Sequence, residues 1–298
     1  MKFAVPSYNR CDFFGTTTYK YLLDNEIPIE DIYIFVSTHK DFDEYTKKYG
    51  DNVILVPTEY EGIGAVRDFI LNEWAEDGLD LVMMDDDIHH IFTGSNKSKE
   101  KTRVDDLKDF SIDFFKRLVD ADLYFGGMCL YSNVFFFREP YSTNLKYISG
   151  AIQFYRVDKS RERIGTSYKH FEDYYSDLAH YRRDKGILRC NNRAPKTKNY
   201  NPEGGICESM GGIENRMKEA EVNADLIIAE FPRWVRKFIR KKTNRNPECW
   251  NLSLNHKAKF CYLKKCKKLG SECPCSALPP ILEEETNEDT SKEETTKE

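Results

Sequence analysis

Long apolar segments are missing from this sequence of 298 residues. No uninterrupted apolar run approaches the roughly 18 residues that a helix needs to span a bilayer. The opening residues, MKFAVPSYNR, lack the long apolar core and the small-residue cleavage site of a secretory signal. Neither the pattern of a membrane-spanning protein nor that of a secreted one is present, so we expect a cytoplasmic protein with no membrane partner.

A regular cysteine framework is also missing. The nine cysteines are an odd number in a large chain, which disfavours a secreted disulfide scaffold and favours reduced thiols. Five of them lie between Cys249 and Cys275. Their spacing lacks the paired C-x2-C knuckles of common zinc sites, and we expect thiols there more than a structural zinc ion.

Carboxylates are almost absent from residues 233–268, where thirteen Lys or Arg face one acid, Glu248. The last 18 residues have the opposite balance, with eight acids and two lysines. Apolar residues make up 40% of the chain, enough for a sizeable core. We predict a folded domain over residues 1–230, a basic, Cys-rich region over 231–280 and an acidic disordered tail over 281–298.

Short apolar runs alternate with segments of helical spacing over the first 90 residues. The runs are KFAVPS, IYIFVS, NVILVP and LDLVMM, and the helical segments are TTTYKYLLDN, DFDEYTKKYG and GAVRDFILNEWAEDG. This βαβ alternation predicts an α/β fold, with a mainly parallel sheet, helices on both faces and a ligand crevice at the carboxyl ends of the strands.

The following residues continue the mixed pattern. A polar loop, GSNKSKEKTR, precedes a predicted helix, VDDLKDFSIDFFKRLVDA. Three strand-like runs come next, YFGGMCLY, NVFFFR and KYISGAIQFYRV, and then a helical segment, YKHFEDYYSDLAHYRRDKG.

The fourth apolar run ends in three carboxylates, Asp85, Asp86 and Asp87. In an extended chain, Asp85 and Asp87 point to the same side and Asp86 to the other. Two carboxylates on one side can share a hard divalent cation, Mg²⁺ or Mn²⁺, whose remaining ligands are water and phosphate oxygens. The alternative is a solvated turn. The position after a strand of an α/β sheet, where such folds bind ligands, favours the metal site.

Several motifs together resemble a known family. VPSYNR, GIGAVRDFI, MMDDD, ISGAIQFYR and HFEDYYSDL are similar, in order and spacing, to motifs of GT-A glycosyltransferases. The closest resemblance is to phage DNA glycosyltransferases of the TET-associated glycosyltransferase type, which add sugars to hydroxymethylated bases. It implies a GT-A-like (Rossmann-like) fold over residues 1 to about 230 and, if a phage encodes the chain, a location in the host-cell cytoplasm.

The resemblance implies a donor site for a UDP-sugar, with UDP-glucose the first choice and UDP-arabinose an alternative. Asp87 and Asp85 would hold the metal, Asp87 as the more direct ligand. The residues that would contact the donor are Pro6, Ser7, Tyr8, Arg10, Arg67, Asp85 and Asp86. Each has a plainer alternative, since Tyr8 could pack, Arg10 could pair at the surface, and Arg67 could pair with Glu73 or Asp68.

The resemblance also assigns Glu172 and Asp173 to the acceptor side. Asp173 would take the proton of the acceptor hydroxyl in an inverting enzyme, or orient the acceptor in a retaining one. The structural alternative is that the two acids cap a helix and complement its dipole. His89 and His90 follow the triplet, but single histidines are more often structural than metal ligands.

The basic segments FPRWVRKFIRKKTNRN and HKAKFCYLKKCKK contain interleaved aromatic residues, a composition suited to phosphate backbones and bases. The residues predicted to bind nucleic acid are Arg236, Lys237, Arg240, Lys241 and Lys242. Alternatives are a solvated face, an anionic membrane patch, or a partner for the acidic tail.

Two classes of function follow. One is a metal-dependent glycosyltransferase that modifies a hydroxymethylated base, of the 5-hydroxymethylcytosine type, in phage DNA. The same fold would also suit a glycosyltransferase acting on protein or glycan, or a nucleotidyltransferase. The second class is a nonenzymatic nucleic-acid-binding protein. The sequence leaves open the sugar, the anomeric outcome and the oligomeric state.

Overall fold

The computed structural model describes residues 1–130, 133–138, 140–165, 168–197, 211–241 and 249–255. All of these residues belong to one compact unit, residues 1–260. The acidic tail, Lys242 and the cysteines from Cys261 onward lie outside the described residues, so the predictions made for them stay predictions.

The first half of the chain alternates strands and helices as its sequence pattern predicts. The elements are β1 (Lys2–Pro6), α1 (Cys11–Thr16), α2 (Thr18–Asp24), β2 (Ile32–Val36), α3 (His39–Tyr49), β3 (Val53–Leu55), α4 (Gly62–Phe69) and β4 (Asp80–Met84). A 3-10 turn at Ile29–Asp31 precedes β2, and a π-helical turn at Ile70–Trp74 extends α4.

The second half adds strands of both directions. Its elements are β5 (Ile88–Gly94), β6 (Lys101–Val104), α5 (Leu107–Asp120), β7 (Phe125–Met128), β8 (Tyr141–Ser142), β9 (Ile152–Arg156), α6 (Glu172–Asp184), β10 (Leu188–Cys190), β11 (Arg193–Thr197), α7 (Ile213–Glu230), β12 (Val235–Arg240) and β13 (Cys249–Leu254).

The central sheet has eight strands in the order β3-β2-β1-β4-β9-β7-β10-β8. The pairs β1–β2, β2–β3, β1–β4 and β7–β10 are parallel, while β9 runs antiparallel to β4 and β7, and β8 antiparallel to β10. The predicted fold class, a mixed and mainly parallel sheet flanked by helices, is confirmed.

Both faces of this sheet are buried. In β1, Phe3 and Val5 pack into one apolar cluster with side chains of α1, α2, α3 and α5. Ala4 packs into the other cluster, with side chains of α4, α6 and α7. Strands covered on both faces read as continuous apolar runs, and for this reason β1, β2 and β4 are evident in the sequence.

Two smaller sheets complete the described fold, β11-β5-β6 and the hairpin β12-β13. Two predictions are wrong here. The segment GSNKSKEKTR is not wholly a loop, since its end forms β6, which pairs with β5. The segment NVFFFR is not a strand but a 3-10 helix, Val134–Phe136, whose first turn is capped because Asn133 Oδ1 accepts from Phe135 N at 3.0 Å.

Helix α7 is not evident from the sequence. Its buried side chains include Ala220, Ala224 and Ile227, a narrow stripe with two small residues. Charged residues occupy much of the remaining surface, so the apolar periodicity that marks an amphipathic helix is weak.

Candidate active site

The aspartate triplet lies in a turn at the carboxyl end of β4. The strand ends at Met84, and β5 begins at Ile88. Two hydroxyls fix the turn: Thr18 Oγ1 donates to the Asp85 carbonyl at 2.7 Å and accepts from Ile88 N at 2.8 Å, and Thr17 Oγ1 donates to the Asp86 carbonyl at 2.7 Å. The expected extended conformation is therefore wrong, and hydroxyls of α2 and of the residue before it set the backbone of the triplet.

Asp86 is buried against the end of β1. Ser7 Oγ donates to its Oδ2 at 2.7 Å, and Arg10 Nη1 lies 3.1 Å from its Oδ1. Burial raises the pKa of Asp86, while Arg10 and Ser7 act in the opposite direction. Two of the residues predicted for the nucleotide pocket thus hold the middle carboxylate of the triplet.

The other residues predicted around β1 lie at the same edge of the sheet. Pro6 is buried and pairs with Phe35 across the parallel β1–β2 ladder. Tyr8 is half-buried two residues beyond the strand. Tyr45, which the sequence did not single out, contacts the Ser7 hydroxyl at 2.7 Å and so supports this segment from α3.

Arg67 connects the triplet to the acidic pair of α6. Its Nη2 donates to Asp85 Oδ1 at 2.6 Å and to the Gly150 carbonyl at 3.0 Å, and its Nη1 donates to Glu172 Oε1 at 3.3 Å. Burial alone would lower the pKa of Arg67, but the two carboxylates raise it above its ordinary value. Arg67 is therefore a buried cation shared by two acids.

The local alternative for Arg67 does not occur. Arg163 binds the carboxylates of Asp68 and Glu73 at 3.0 and 2.7 Å instead. The contact with Gly150 also explains that glycine, because a Cβ there would lie 2.4 Å from Arg67 Nη1.

Asp87 is the member of the triplet with an uncompensated oxygen. Its side chain is buried, and within the described ranges its Oδ1 has no hydrogen-bond partner. Burial, followed by the neighbouring carboxylates of Asp85 and Asp86, raises the pKa of Asp87 to about 7. Such a carboxylate is only partly ionised at neutral pH, and a bound cation would favour its charged form.

A divalent cation fits this donor set. Asp87 offers a bare carboxylate oxygen, and Asp85, with 37% of its side chain exposed, borders solvent. Among the described residues no three His, Cys, Asp or Glu side chains converge into a ready-made metal cage. This arrangement suits a cation that takes one or two carboxylates and fills its other positions with water and phosphate oxygens.

The acidic pair opens α6 with the two side chains in different environments. Phe171, just before the helix, has a left-handed φ of 64°, so the chain turns sharply into α6. Glu172 is buried against Arg67, and burial together with Asp173 raises its pKa to about 7. Asp173 is half-buried, and burial raises its pKa also.

Asp173 accepts several hydrogen bonds. The Tyr147 hydroxyl and Gly150 N (3.4 Å) donate to its Oδ2, and Tyr174 N donates to its Oδ1 at 2.8 Å. The hydrogen bond from Tyr174 N, the next residue along the helix, resembles a helix-capping contact. The side chain that donates to Asp173 is that of Tyr147. These contacts orient the Asp173 carboxylate beside the same Gly150 that contacts Arg67.

Asp177 supports this region from one helical turn further along α6. It is fully buried, and its Oδ2 accepts from Ile148 N at 2.9 Å. Burial raises its pKa well above the ordinary value. The spacing from Asp173 to Asp177, which places both on one helix face, is the sequence signal that could have found it.

Replacing Asp177 with asparagine should change the pH dependence of stability. Because the folded protein binds the proton of Asp177 more tightly than the unfolded chain, wild type loses stability as pH rises from about 3.9 toward the raised folded pKa. The variant lacks this loss, so its Tm minus that of wild type should increase between pH 5 and pH 8. A difference that stays constant, as expected for the exposed control Asp120→Asn, would contradict a protonated Asp177.

The two histidines after the triplet belong to β5. His89 is exposed and contacts Phe13 edge-on, with ring centroids 6.3 Å apart. His90 packs edge-on against Phe92 at 4.5 Å. Burial and then the neighbouring Arg103 lower the pKa of His90, which keeps it neutral near pH 7.

The predicted nucleic-acid-binding residues lie on the β12–β13 hairpin. One side of β12 carries Arg236, Phe238 and Arg240, and the other carries Lys237. Lys241 follows the strand at an exposed position. Lys237 pairs with Asp225 of α7 at 2.5 Å and lies over the Trp250 ring. Lys242 lies outside the described residues.

The hairpin is anchored on its other side by apolar residues. Val235, Leu252 and Leu254 are buried in the same cluster as the apolar stripe of α7. The anchoring leaves Arg236 and Phe238 exposed.

A family match covers both the candidate site and most of the central sheet. Residues 1–179 match the family model described as TET-Associated Glycosyltransferase. The matched residues include both the aspartate triplet and the acidic pair of α6. The chain belongs to the TET-associated glycosyltransferase family, and it is a glycosyltransferase, as its sequence motifs implied.

Two solved structures are also similar to the chain. TarS residues 1–349 of S. aureus, in complex with UDP-GlcNAc, is 17% identical over 78% of this chain and 72% of that one, with a TM-score of 0.46. The same TarS residues in complex with UDP are 18% identical over 78% and 71%, with a TM-score of 0.44. No curated protein matches the chain. No helix of the described segments is long and apolar enough to cross a bilayer.

Proposed function

We propose that this glycosyltransferase transfers a sugar from a UDP-sugar to the hydroxyl of a hydroxymethylated base, of the 5-hydroxymethylcytosine type, in phage DNA. The observation that carries the donor half of this proposal is Asp87. A buried carboxylate with a bare oxygen, beside two further carboxylates at the carboxyl edge of the sheet, is suited to a divalent cation and the diphosphate that accompanies it.

Asp87 and Asp85 would hold Mn²⁺ or Mg²⁺, with Asp87 the more direct ligand. Such an ion, when bound, neutralises the diphosphate and so stabilises the departing nucleotide. Asp86 is already compensated by Arg10 and Ser7, and its role is to fix the turn and the end of β1.

The donor nucleotide would lie along the residues that follow β1. Tyr8 is half-buried there and offers a ring to the base, while Pro6 and Ser7 shape the backbone around it. Arg67, whose guanidinium pairs with Asp85, would face the sugar or diphosphate. UDP-glucose is the first donor to test, with UDP-arabinose as an alternative.

Asp173 would take the proton of the acceptor hydroxyl or orient the acceptor. It is the more exposed of the two acids and is held by Tyr147 and Gly150. Its raised pKa moves it toward neutral pH, where a general base is most effective. Glu172, buried against Arg67, would act by positioning that cation.

Slow hydrolysis of the donor tests the metal and the nucleotide together. The protein should release UDP from one or more of a panel of UDP-sugars in Mn²⁺, and the release should stop in EDTA. Full release in EDTA would remove the metal from the proposal, and no release from any UDP-sugar, with no UDP binding by calorimetry, would remove the donor.

The hairpin supplies the argument for a polyanionic acceptor. Its alternating Arg236, Phe238 and Arg240 present cations and an aromatic ring along one strand, which suits phosphates and bases.

Replacing Arg236, Lys237, Arg240, Lys241 and Lys242 by glutamine should weaken DNA binding and raise the KM for DNA, while UDP affinity and donor hydrolysis persist. Because bound phosphates release counterions, log affinity should fall with log salt by about 0.9 per phosphate contact, and the variant should have a flatter slope. An unchanged slope with unchanged transfer would show that the hairpin does not hold DNA.

A further inference from the structure

One face of the β11-β5-β6 sheet concentrates cations around an aromatic ring. Opposite partners in the ladders are Lys196 and His90, Arg103 and Phe92, and Lys101 and Gly94. Partners that face each other across a ladder, and alternate residues along a strand, share one side of a sheet. The face formed by His90, Phe92, Lys101, Arg103 and Lys196 is called here the cationic sheet face.

The opposite side of the same sheet is the one that packs inward. Ile91 is buried in the main core, with its ladder partner Val104 packed against the same cluster. On the cationic sheet face, Lys101, Arg103 and Lys196 are instead exposed. Ala194, the ladder partner of Phe92, is buried with Phe137, so the part of the cationic sheet face that meets solvent is formed by Lys101, Arg103 and Lys196.

Cations lie directly over aromatic rings on and beside this face. Lys101 Nζ is 4.1 Å from the centroid of the Phe92 ring, and Lys99 Nζ is 5.6 Å from that of Phe135. Phe135 and Phe136 are 59% and 52% exposed, which is unusual for such large apolar rings. Val134 and Phe137, which flank the two rings in the chain, pack against Gly94 of β5 and so hold this segment beside the face. A Cβ at Gly94 would lie 3.0 Å from the Val134 side chain and 3.1 Å from that of Phe137.

The charge of this surface is strongly one-sided. Residues 88–104 carry four cations, Lys97, Lys99, Lys101 and Arg103, against one acid, Glu100. Arg103 contacts Asp105 at 3.0 Å, but both side chains are about half exposed, and an ion pair of that kind is weak in water and opens readily for a phosphate.

The face also begins at the candidate reaction centre. His90 is three residues from Asp87, and β5 starts at the residue that follows the triplet. A polymeric acceptor must extend away from the transferred sugar, so a surface next to the triplet is where its neighbouring nucleotides would lie.

We propose that the cationic sheet face, together with Lys99, Phe135 and Phe136, is a nucleic-acid-binding surface that holds the acceptor DNA beside the reaction centre, with the cations on phosphates and the exposed rings against bases. This proposal rests on the proposed function, because it assumes that DNA is the acceptor. Charge complementarity with a polyanion and rings suited to stacking favour DNA over other partners.

The test compares two full-length triple variants with wild type. One carries Lys99→Gln, Lys101→Gln and Arg103→Gln, and the matched control carries Lys108→Gln, Lys116→Gln and Lys218→Gln, which removes three exposed charges from α5 and α7. Affinity for duplex DNA containing 5-hydroxymethylcytosine is measured against salt. Donor hydrolysis and transfer to the free nucleoside 5-hydroxymethyl-2′-deoxycytidine are measured in parallel.

The face variant should bind DNA more weakly and have a salt slope flatter by about 2.7, at about 0.9 for each of three phosphate contacts, with donor hydrolysis unchanged. A separate variant, Phe135→Ala, should weaken binding of single-stranded DNA about tenfold, through lost base stacking. The control triple variant should behave as wild type in every assay.

Three results would overturn the proposal. If the face variant and the control have the same salt slope of DNA affinity and the same KM for DNA, while wild type glycosylates DNA, the face is not the acceptor surface. The proposed function then stands. If wild type hydrolyses UDP-sugars but neither binds nor modifies DNA, the proposed acceptor fails and this surface fails with it. Binding to vesicles that contain anionic lipid is measured for the same proteins. If the face variant loses vesicle binding that wild type has and keeps its binding to DNA, the surface is a membrane contact.

Discussion

Replacing Asp87 with asparagine is expected to reduce both sugar transfer and donor hydrolysis by about 1000-fold or more, which corresponds to several kcal/mol of lost transition-state stabilisation. An amide does not replace a carboxylate as a ligand of a hard divalent cation. The variant should fold normally, because the buried carboxylate of Asp87 is already costly in the absence of a cation and its Oδ1 accepts no hydrogen bond within the described part of the chain. Calorimetric titration with Mn²⁺ in the presence of UDP should show that metal binding is lost.

Two controls separate this effect from general damage to the site. Asp120→Asn, on the exposed side of α5, should leave activity and Mn²⁺ binding unchanged. Asp86→Asn removes a buried carboxylate that pairs with half-buried Arg10 and should therefore lower Tm. Full activity of Asp87→Asn, or of wild type in EDTA, would exclude the metal site.

Replacing Asp173 with asparagine should reduce transfer to the acceptor by about 10²- to 10⁴-fold, the usual contribution of a general base. The asparagine oxygen can still accept from Tyr147 or Gly150, so the loop that carries both residues should stay in place. UDP affinity should remain close to that of wild type, because the donor residues lie at and after the end of β1, on α4 and in the turn after β4. Single-turnover transfer and UDP binding, measured on the same preparation, check the two halves of this expectation.

Tyr147→Phe should alter the environment of Asp173 while keeping its carboxylate. It removes a hydroxyl that donates to Asp173, and because that hydrogen bond holds the pKa of Asp173 down, its loss should raise this pKa further. The acidic limb of the transfer rate against pH should then shift to higher pH. Unchanged transfer by Asp173→Asn would leave the acidic pair with the structural role of opening α6.

The first four strands and the triplet could be predicted from the sequence because their signals are local. Strands β1, β2 and β4 are buried on both faces, so each reads as an uninterrupted apolar run, and the run of β4 ends abruptly at Asp85. Glu172 and Asp173 are adjacent acids at a predicted helix start. Such signals require no knowledge of which strands pair.

The connections between these elements could not be predicted, because they depend on tertiary contacts between distant residues. Arg67 and Glu172 are 105 residues apart, and only the closure of the sheet brings them together with Asp85. The conformation of the triplet depends in the same way on the hydroxyl of Thr18, which lies 67 residues before the carbonyl it binds. Strand β6 is polar and three of its four residues are exposed, so its sequence resembles a loop.

The central claim, that the acceptor is a hydroxymethylated base in DNA, is tested most directly by mass spectrometry of nucleosides. Wild-type protein, Mn²⁺ and a panel of UDP-sugars are incubated with duplex DNA that contains 5-hydroxymethylcytosine, and the DNA is then digested to nucleosides. The proposed function predicts a new nucleoside heavier by one glycosyl unit with one of the donors, together with an equal amount of released UDP. UDP release with every nucleoside unchanged in mass would contradict it, and would show an enzyme whose acceptor is not this base.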